Sequence, residues 1–263
     1  MTTLKSSDPK PSVSVPAIDR MCLILDLITD TNFPLTSAEI AEKLELPRSS
    51  THNLLQSLLS KHLVFKDRDN RFHLGSYLLY WAGKYEKQHS IIDVFHDLIV
   101  NHPILLQHTV TLSKIDGKEV VFLACHESPA PLGFTFRSGV RVPAPFSATG
   151  KAMLSTYDDE TITQLFSQQM PKAYTSRSVQ QLNILIDELN EVRKTGISLD
   201  DGQLREGMYC LGTCVVDNDG NPLAGMAISF VKEEYELHRE AVSQALLSLA
   251  HDISSRLGVL KLK

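Results

Sequence analysis

The chain has 263 residues, 43% of them hydrophobic and 22% charged, with a formal net charge of −5. This is ordinary globular composition with length enough for two modest domains, and it excludes a collagen, a coiled-coil rod and a long disordered chain. No apolar run approaches the ~20 residues a bilayer demands, and the four scattered cysteines (Cys22, Cys125, Cys210, Cys214) lack both a disulfide framework and C-x-x-C spacing.

Residues 1–16 are rich in Ser, Pro, Thr and Lys and hold no apolar stretch of leader type. They are expected to form a flexible tail on a cytoplasmic protein with free thiols, no metal and no cofactor. From residue 18 the apolar positions Ile18, Met21, Cys22, Leu25 and Ile28 recur with helical spacing, and Asn32 and Pro34 end the pattern. Thr36 and Glu39 then form a capping box, with Leu35 and Ile40 placed for the accompanying hydrophobic staple. A short helix follows, carrying Ile40, Ala41 and Leu44 inward. After a break at 45–48, a third helix over about 49–61 buries Thr51, Leu54, Leu55, Leu58 and Leu59 and presents Ser50, His52, Asn53 and Gln56 outward. Two short strands, 63–65 and 71–74, flank the turn-rich segment 67–70. Helix, helix, tight turn, helix and hairpin is the plan of a winged helix-turn-helix, here over 17–75.

A linker helix over 76–89 carries Tyr77, Leu78, Trp81 and Tyr85 on one face, which a partner subunit is expected to cover. Residues 90–263 carry a different pattern. A helix over 91–100 precedes strands at 109–115 and 119–125 joined by an Asp116–Gly117 turn. A helix through Leu182, Leu185, Ile186, Leu189 and Val192 ends at Gly196 as a C′ glycine. Strands at 208–216 and 223–231 and a last helix over about 236–257 complete an α+β domain.

The net charge hides an uneven distribution. Residues 17–45 hold two basic and six acidic side chains, a net of −4, whereas residues 46–75 hold five basic and two acidic, a net of +3. The basic segment coincides with the third helix and wing. At the start of a recognition helix, Arg48 and Ser49 suit phosphate, with Ser50, Thr51 and His52 beside them. Asn53 and Gln56 can pair adenine N6 and N7, and Arg68 and Arg71 in the wing suit a minor groove or the DNA backbone. The small positive excess predicts few phosphate contacts per subunit and reliance on base readout and dimerisation.

The second domain lacks common catalytic signatures. A P-loop is disfavoured at Gly150–Lys151, since Pro145 and Ala152 stand where it needs glycine and a hydroxyl. G-x-S-x-G and H-E-x-x-H are missing from the sequence, and Cys210 lies in an apolar strand. Behind Pro143 and Pro145, residues Ala148, Thr149 and Gly150 fall at a helix N-terminus. Backbone amides there attract a carboxylate, unless Ser147 or Thr149 simply caps the helix.

Three stretches together, Leu46–His52, Ser147–Ser155 and Val192–Cys210, resemble the IclR family of bacterial transcription factors, and the likeness runs from Ile18 to the last helix. The resemblance implies a dimer or tetramer on a palindromic operator in double-stranded DNA. It also implies a GAF-like C-terminal domain that binds a small carboxylate-bearing or aromatic metabolite. Ala148, Thr149 and Gly150 would supply anion-binding amides, with Asp200, Cys210, Ala227 and Ser229 lining the pocket. Asn53 stands where many members carry arginine and Gln203 where glutamate is usual. Ala148 and Ala227 replace glycine and serine of small-acid binders, which favours a ligand with an apolar or aromatic body. The competing expectation is a small-molecule enzyme with an accessory nucleic-acid domain, using Cys210 or Asp200 chemically. A weaker one is a second domain that only oligomerises.

Overall fold

The computed structural model describes residues 15–88, 90–129 and 136–261, with side chains outside 85–90 and 259–261. Nearly all of the expected N-terminal tail lies outside the described residues. The chain divides into two compact units, 1–88 and 89–263.

The first unit contains α1 (Pro16–Asp30), β1 (Leu35–Thr36), α2 (Ser37–Lys43), α3 (Arg48–Ser60), β2 (Val64–Lys66), β3 (Arg71–Leu74) and α4 (Tyr77–Gln88). α1 starts with Pro16 in its first turn, where a missing N–H costs nothing. Its inward stripe is Met21, Ile24, Leu25 and Ile28, centred on a fully buried Ile24. Ile18 and Cys22, expected inside, are exposed instead, because the stripe is rotated about one residue around the helix. The capping box forms: the Thr36 amide donates to Glu39 Oε2 at 2.7 Å, and the Glu39 amide donates to Thr36 Oγ1 at 3.4 Å. Leu35 does more than staple the helix, since β1 pairs antiparallel with β3 (Leu35 opposite Phe72) in a sheet ordered β1-β3-β2. Leu35, Ile40, Leu55, Leu58, Leu63, Val64 and Phe72 close the core around Ile24, and Leu78 docks the first turn of α4 onto it.

The second unit contains α5 (Ser90–Ile99), β4 (Thr109–Asp116), β5 (Glu119–His126), β6 (Arg141–Pro143), α6 (Ala148–Leu154), α7 (Asp159–Phe166), α8 (Leu182–Thr195), β7 (Ser198–Asp200), β8 (Met208–Val216), β9 (Pro222–Val231) and α9 (Lys232–Lys261). Six antiparallel strands lie in the order β6-β5-β4-β9-β8-β7. Strand alternation sends Leu112, Leu211, Val215, Ile228 and Phe230 to one face, under Phe95 and Ile99 of α5 and Leu246, Leu249 and Ile253 of α9. A second core, with Phe146, Met153, Ile162, Phe166, Leu185 and Leu189, joins α6, α7 and α8 near the opposite face. Gly196 ends α8 at φ 74°, the left-handed C′ conformation. α6 lies almost in contact with the sheet: a methyl group at Gly212 would sit 2.7 Å from the Ala148 carbonyl, and one at Gly225 2.6 Å from the Thr149 carbonyl oxygen. Two small residues on adjacent strands therefore set how closely this helix approaches.

Candidate nucleic-acid interface and effector site

In the first unit the helical period turns Arg48, Ser49, His52, Asn53 and Gln56 of α3 outward together, all exposed. Among the described residues of this unit, none hydrogen-bonds their side chains. Thr51, expected in the same set, is fully buried and its Oγ1 donates to the Pro47 carbonyl at 3.2 Å, so it anchors the first turn of α3 and cannot meet DNA. Ser50 is half-buried and accepts from Arg20 Nη1 at 3.3 Å. Arg20 thus reaches α3 from an acidic stretch, a placement that net charge along the sequence conceals.

The two wing arginines part company. Arg68 is exposed in the turn, beside an exposed Lys66. Arg71 instead donates from Nη1 to the Pro34 carbonyl at 2.7 Å and lies 3.4 Å from Glu39 Oε2. Its guanidinium ties β3 to the capping box through Nη1, so Arg71 has a structural partner in its own unit that Arg68 lacks among the described residues, although its side chain stays 39% exposed. The turn is held by Asp67, whose Oδ1 accepts from the amides of Asp69 and Arg71, each at 2.9 Å, while Oδ2 meets His73 Nε2 at 2.9 Å. His73 first, then these amides, hold the Asp67 carboxyl below its ordinary value.

In the second unit, register aligns four polar side chains across four strands. Asp200 of β7 is opposite Cys210 of β8, Cys210 opposite Ser229 of β9, and Ser229 opposite Thr109 of β4. The next row on that face is Ser198, Gly212, Ala227 and Thr111, and the Ser198 hydroxyl donates to the Ala148 carbonyl at 2.6 Å. Ala148, Met208, Cys210 and Ala227 pack as one small apolar cluster, joined by Phe136 and Leu204. Six of the seven expected effector residues lie on these two rows or at the start of α6 without conflict. Gly150 is the exception: its amide donates to Ser147 Oγ at 3.0 Å, the ordinary N-cap, so it is not an open anion donor.

Burial governs the chemistry here. Among the described residues, Thr149 Oγ1 and Asp200 Oδ2 are buried without a hydrogen-bond partner. Asp200 Oδ1 accepts from the amides of Gly202, Gln203 and Leu204 at 3.0, 2.7 and 3.4 Å. Burial outweighs those amides and raises the Asp200 carboxyl to about 6. Burial also drives the Cys210 thiol well above its usual range, and its Sγ lies 3.3 Å from Ser229 Oγ.

Behind this row Lys151 of α6 is 1% exposed, with Nζ 2.6 Å from Glu188 Oε2 and donating to the Leu199 carbonyl at 2.8 Å. Gln203 Nε2 donates to Glu188 Oε1 at 2.9 Å, and Gln203 Oε1 accepts from the Val179 amide at 3.1 Å. Sequence reasoning left the partner of Gln203 open and missed Glu188 altogether. The signal was there in charge balance: a lysine behind an apolar helix start needs a carboxylate, and with glutamine at 203 another residue must supply it. Among the described residues no three His, Cys, Asp or Glu side chains gather as metal ligands.

The comparisons with known proteins divide the chain as the structure does. The IclR helix-turn-helix domain matches residues 17–68, and the bacterial transcriptional regulator IclR C-terminal domain matches residues 83–255. The transcriptional regulator BhcR of Paracoccus denitrificans is 24% identical over 245 residues, covering 92% of this chain and 88% of its own. The crystal structure of the Agobacterium tumefaciens repressor BlcR is 39% identical with a TM-score of 0.60, covering 94% of this chain and 99% of that one. An IclR homologue from Microbacterium hydrocarbonoxydans, solved with 4-hydroxybenzoate, shares the fold at 17% identity and a TM-score of 0.75, covering 91% of this chain and 98% of its own. With family domains matched across nearly all of its length, the chain belongs to the IclR family of bacterial transcriptional regulators, with an N-terminal helix-turn-helix DNA-binding domain and a C-terminal effector domain.

Proposed function

We propose that this regulator reads a palindromic operator as a dimer or tetramer in the cytoplasm. Arg48, Ser49, His52, Asn53 and Gln56 of α3, with Ser50 beside Arg20 and Arg68 in the wing, face the DNA. A small carboxylate-bearing or aromatic metabolite controls operator binding or output from the C-terminal pocket, at Ala148, Thr149, Asp200, Cys210, Ala227 and Ser229. One contrast carries the reading: Arg48, Ser49, His52, Asn53 and Gln56 of α3 point their polar ends outward, while among the described residues Asp200 Oδ2 and Thr149 Oγ1 are buried with no partner. Exposed readers suit DNA, and orphaned buried polar atoms suit a ligand that satisfies them.

Subunit pairing is supported by α4, whose exposed Tyr77, Leu79, Tyr80 and Trp81 include aromatic contacts of Tyr77 with Tyr80 and Trp81 at 5.6 and 5.2 Å between ring centroids. The enzyme alternative uses Cys210 or Asp200 chemically, and burial of the Cys210 thiol opposes the thiolate that its first form needs.

Asn53→Ala should cost about 1–3 kcal/mol on the operator and relax specificity at one base pair, while Arg48→Ala should weaken operator and random DNA alike. Mobility-shift titrations on both DNAs decide it: equal losses on the two for Asn53→Ala overturn the assignment.

A further inference from the structure

Asp200 is fully buried, and its two oxygens are treated differently. Oδ1 accepts from three backbone amides, while Oδ2 has no partner among the described residues, on the row shared with Cys210 and Ser229. Titratable groups face it from each neighbouring element. Lys151 comes from α6, Glu188 from α8 and Cys210 from β8. On its own loop Asp201 is ion-paired with Arg177, and Arg205 and Glu206 are exposed. Lys151 is already engaged by Glu188 and the Leu199 carbonyl. With Asp200 ionised, buried Lys151 and Asp200 and the partly exposed Glu188 together carry a net charge of −1, and a second anion beside Oδ2 would meet a like charge in a shielded site. Two carboxylates in such a site do not both remain ionised.

Building on the effector reading above, we propose that the C-terminal pocket binds an anionic effector together with one proton, held on Asp200 Oδ2 and donated to an oxygen of the ligand. The Oδ2 orphan is thereby satisfied, and the pocket gains one negative charge and one positive charge at once. Burial has already brought the free carboxyl to about 6, so little further change is needed near neutrality. In the free protein Asp200 is mostly ionised above that pH and in the complex it is protonated. Affinity therefore falls about tenfold per pH unit above about pH 6 and is level below it.

Calorimetric titration of the full chain with benzoate and 4-hydroxybenzoate, in buffers of different ionisation heat, tests this. The expected result is uptake of about one proton per ligand well above pH 6, with the Kd rising about tenfold per pH unit. Asp200→Asn, which carries a permanent donor, should bind these acids with a level Kd and no proton uptake. A ligand-free measurement stands beside it. Because the folded-state value is raised, ionising Asp200 costs stability as pH rises from about 4 to 6, so the Tm of Asp200→Asn relative to the native protein should climb across that window. Binding with a level Kd and no proton uptake by the native protein overturns this proposal alone. Failure of both acids to bind either protein at any pH overturns the carboxylate-effector reading, and this proposal with it.

Discussion

The two units place their polar residues in opposite ways. In the first, the residues assigned to DNA stand on the outer face of α3 and in the wing, and the core around Ile24, Ile40, Leu55 and Phe72 closes without them. In the second, Lys151, Asp200, Thr149 and Ser229 are buried between α6 and the sheet, where each is also part of the packing. A reading surface of the first kind changes one residue at a time at little cost to folding, and Asn53 in a place where family members often carry arginine fits that freedom. A buried site of the second kind changes in concert. Gln203, where the family resemblance leads one to expect glutamate, donates to Glu188, and Glu188 is the carboxylate that pairs with Lys151.

The sharpest way to break this contrast is to remove one member of the buried pair. Lys151→Met should destabilise the second unit by about 3 kcal/mol, the low end for a broken buried pair, because the Glu188 side chain is 30% exposed and can rehydrate. Glu188→Gln leaves a buried ammonium without its counter-charge and should cost at least as much. The double variant should recover part of the loss, since neither charge is then left without its partner. Urea unfolding followed in the second unit measures all three, and strictly additive losses would show that the two residues do not act as a pair.

What the sequence disclosed follows the range of each interaction. The capping box of Thr36 and Glu39, the helix ending at Gly196 and the strands flanking Asp116–Gly117 rest on contacts a few residues apart, and all three form. β1 escaped notice because two residues carry no periodicity, although it is the strand that aligns the wing. Thr51 reads in sequence both as a buried position of the third helix and as a DNA contact, and Arg71 as a DNA contact; the burial holds for Thr51. Their true partners, the Pro47 carbonyl at the helix start and the Pro34 carbonyl across the sheet, belong to the backbone, which composition does not reveal. In the C-terminal unit, the residues that the motif points to lie together at the start of α6 and on the neighbouring strands. The link from Gln203 through Glu188 to Lys151 spans three separate segments, and nothing local in any of them announces it.

An intermediate effect is expected where the first unit does rely on a polar group for its fold. Thr36→Ala removes the side-chain half of the capping box and should cost about 1 kcal/mol. Glu39 keeps the residue-36 amide but loses its hydroxyl donor, and it also lies 3.4 Å from Arg71 Nη1, so the loss should extend to the wing strand. Thermal unfolding of the native and variant chains, with amide exchange at 71–74, checks both parts. Loss confined to α2 would separate the cap from the wing.

Arg68→Ala should have the smallest effect on folding, and there the contrast between the two units is most exposed to failure. The side chain is exposed in the turn, and its removal should change stability by no more than about 0.5 kcal/mol. On DNA the same change should weaken operator and random sequence by a similar factor. It should also make the slope of log affinity against log salt shallower by about 1, the signature of one lost phosphate contact. A specific loss on the operator with an unchanged slope would mean that Arg68 reads a groove instead. No loss on either DNA would leave α3 as the whole of the interface and the wing as a brace for the Thr36–Glu39–Arg71 connection.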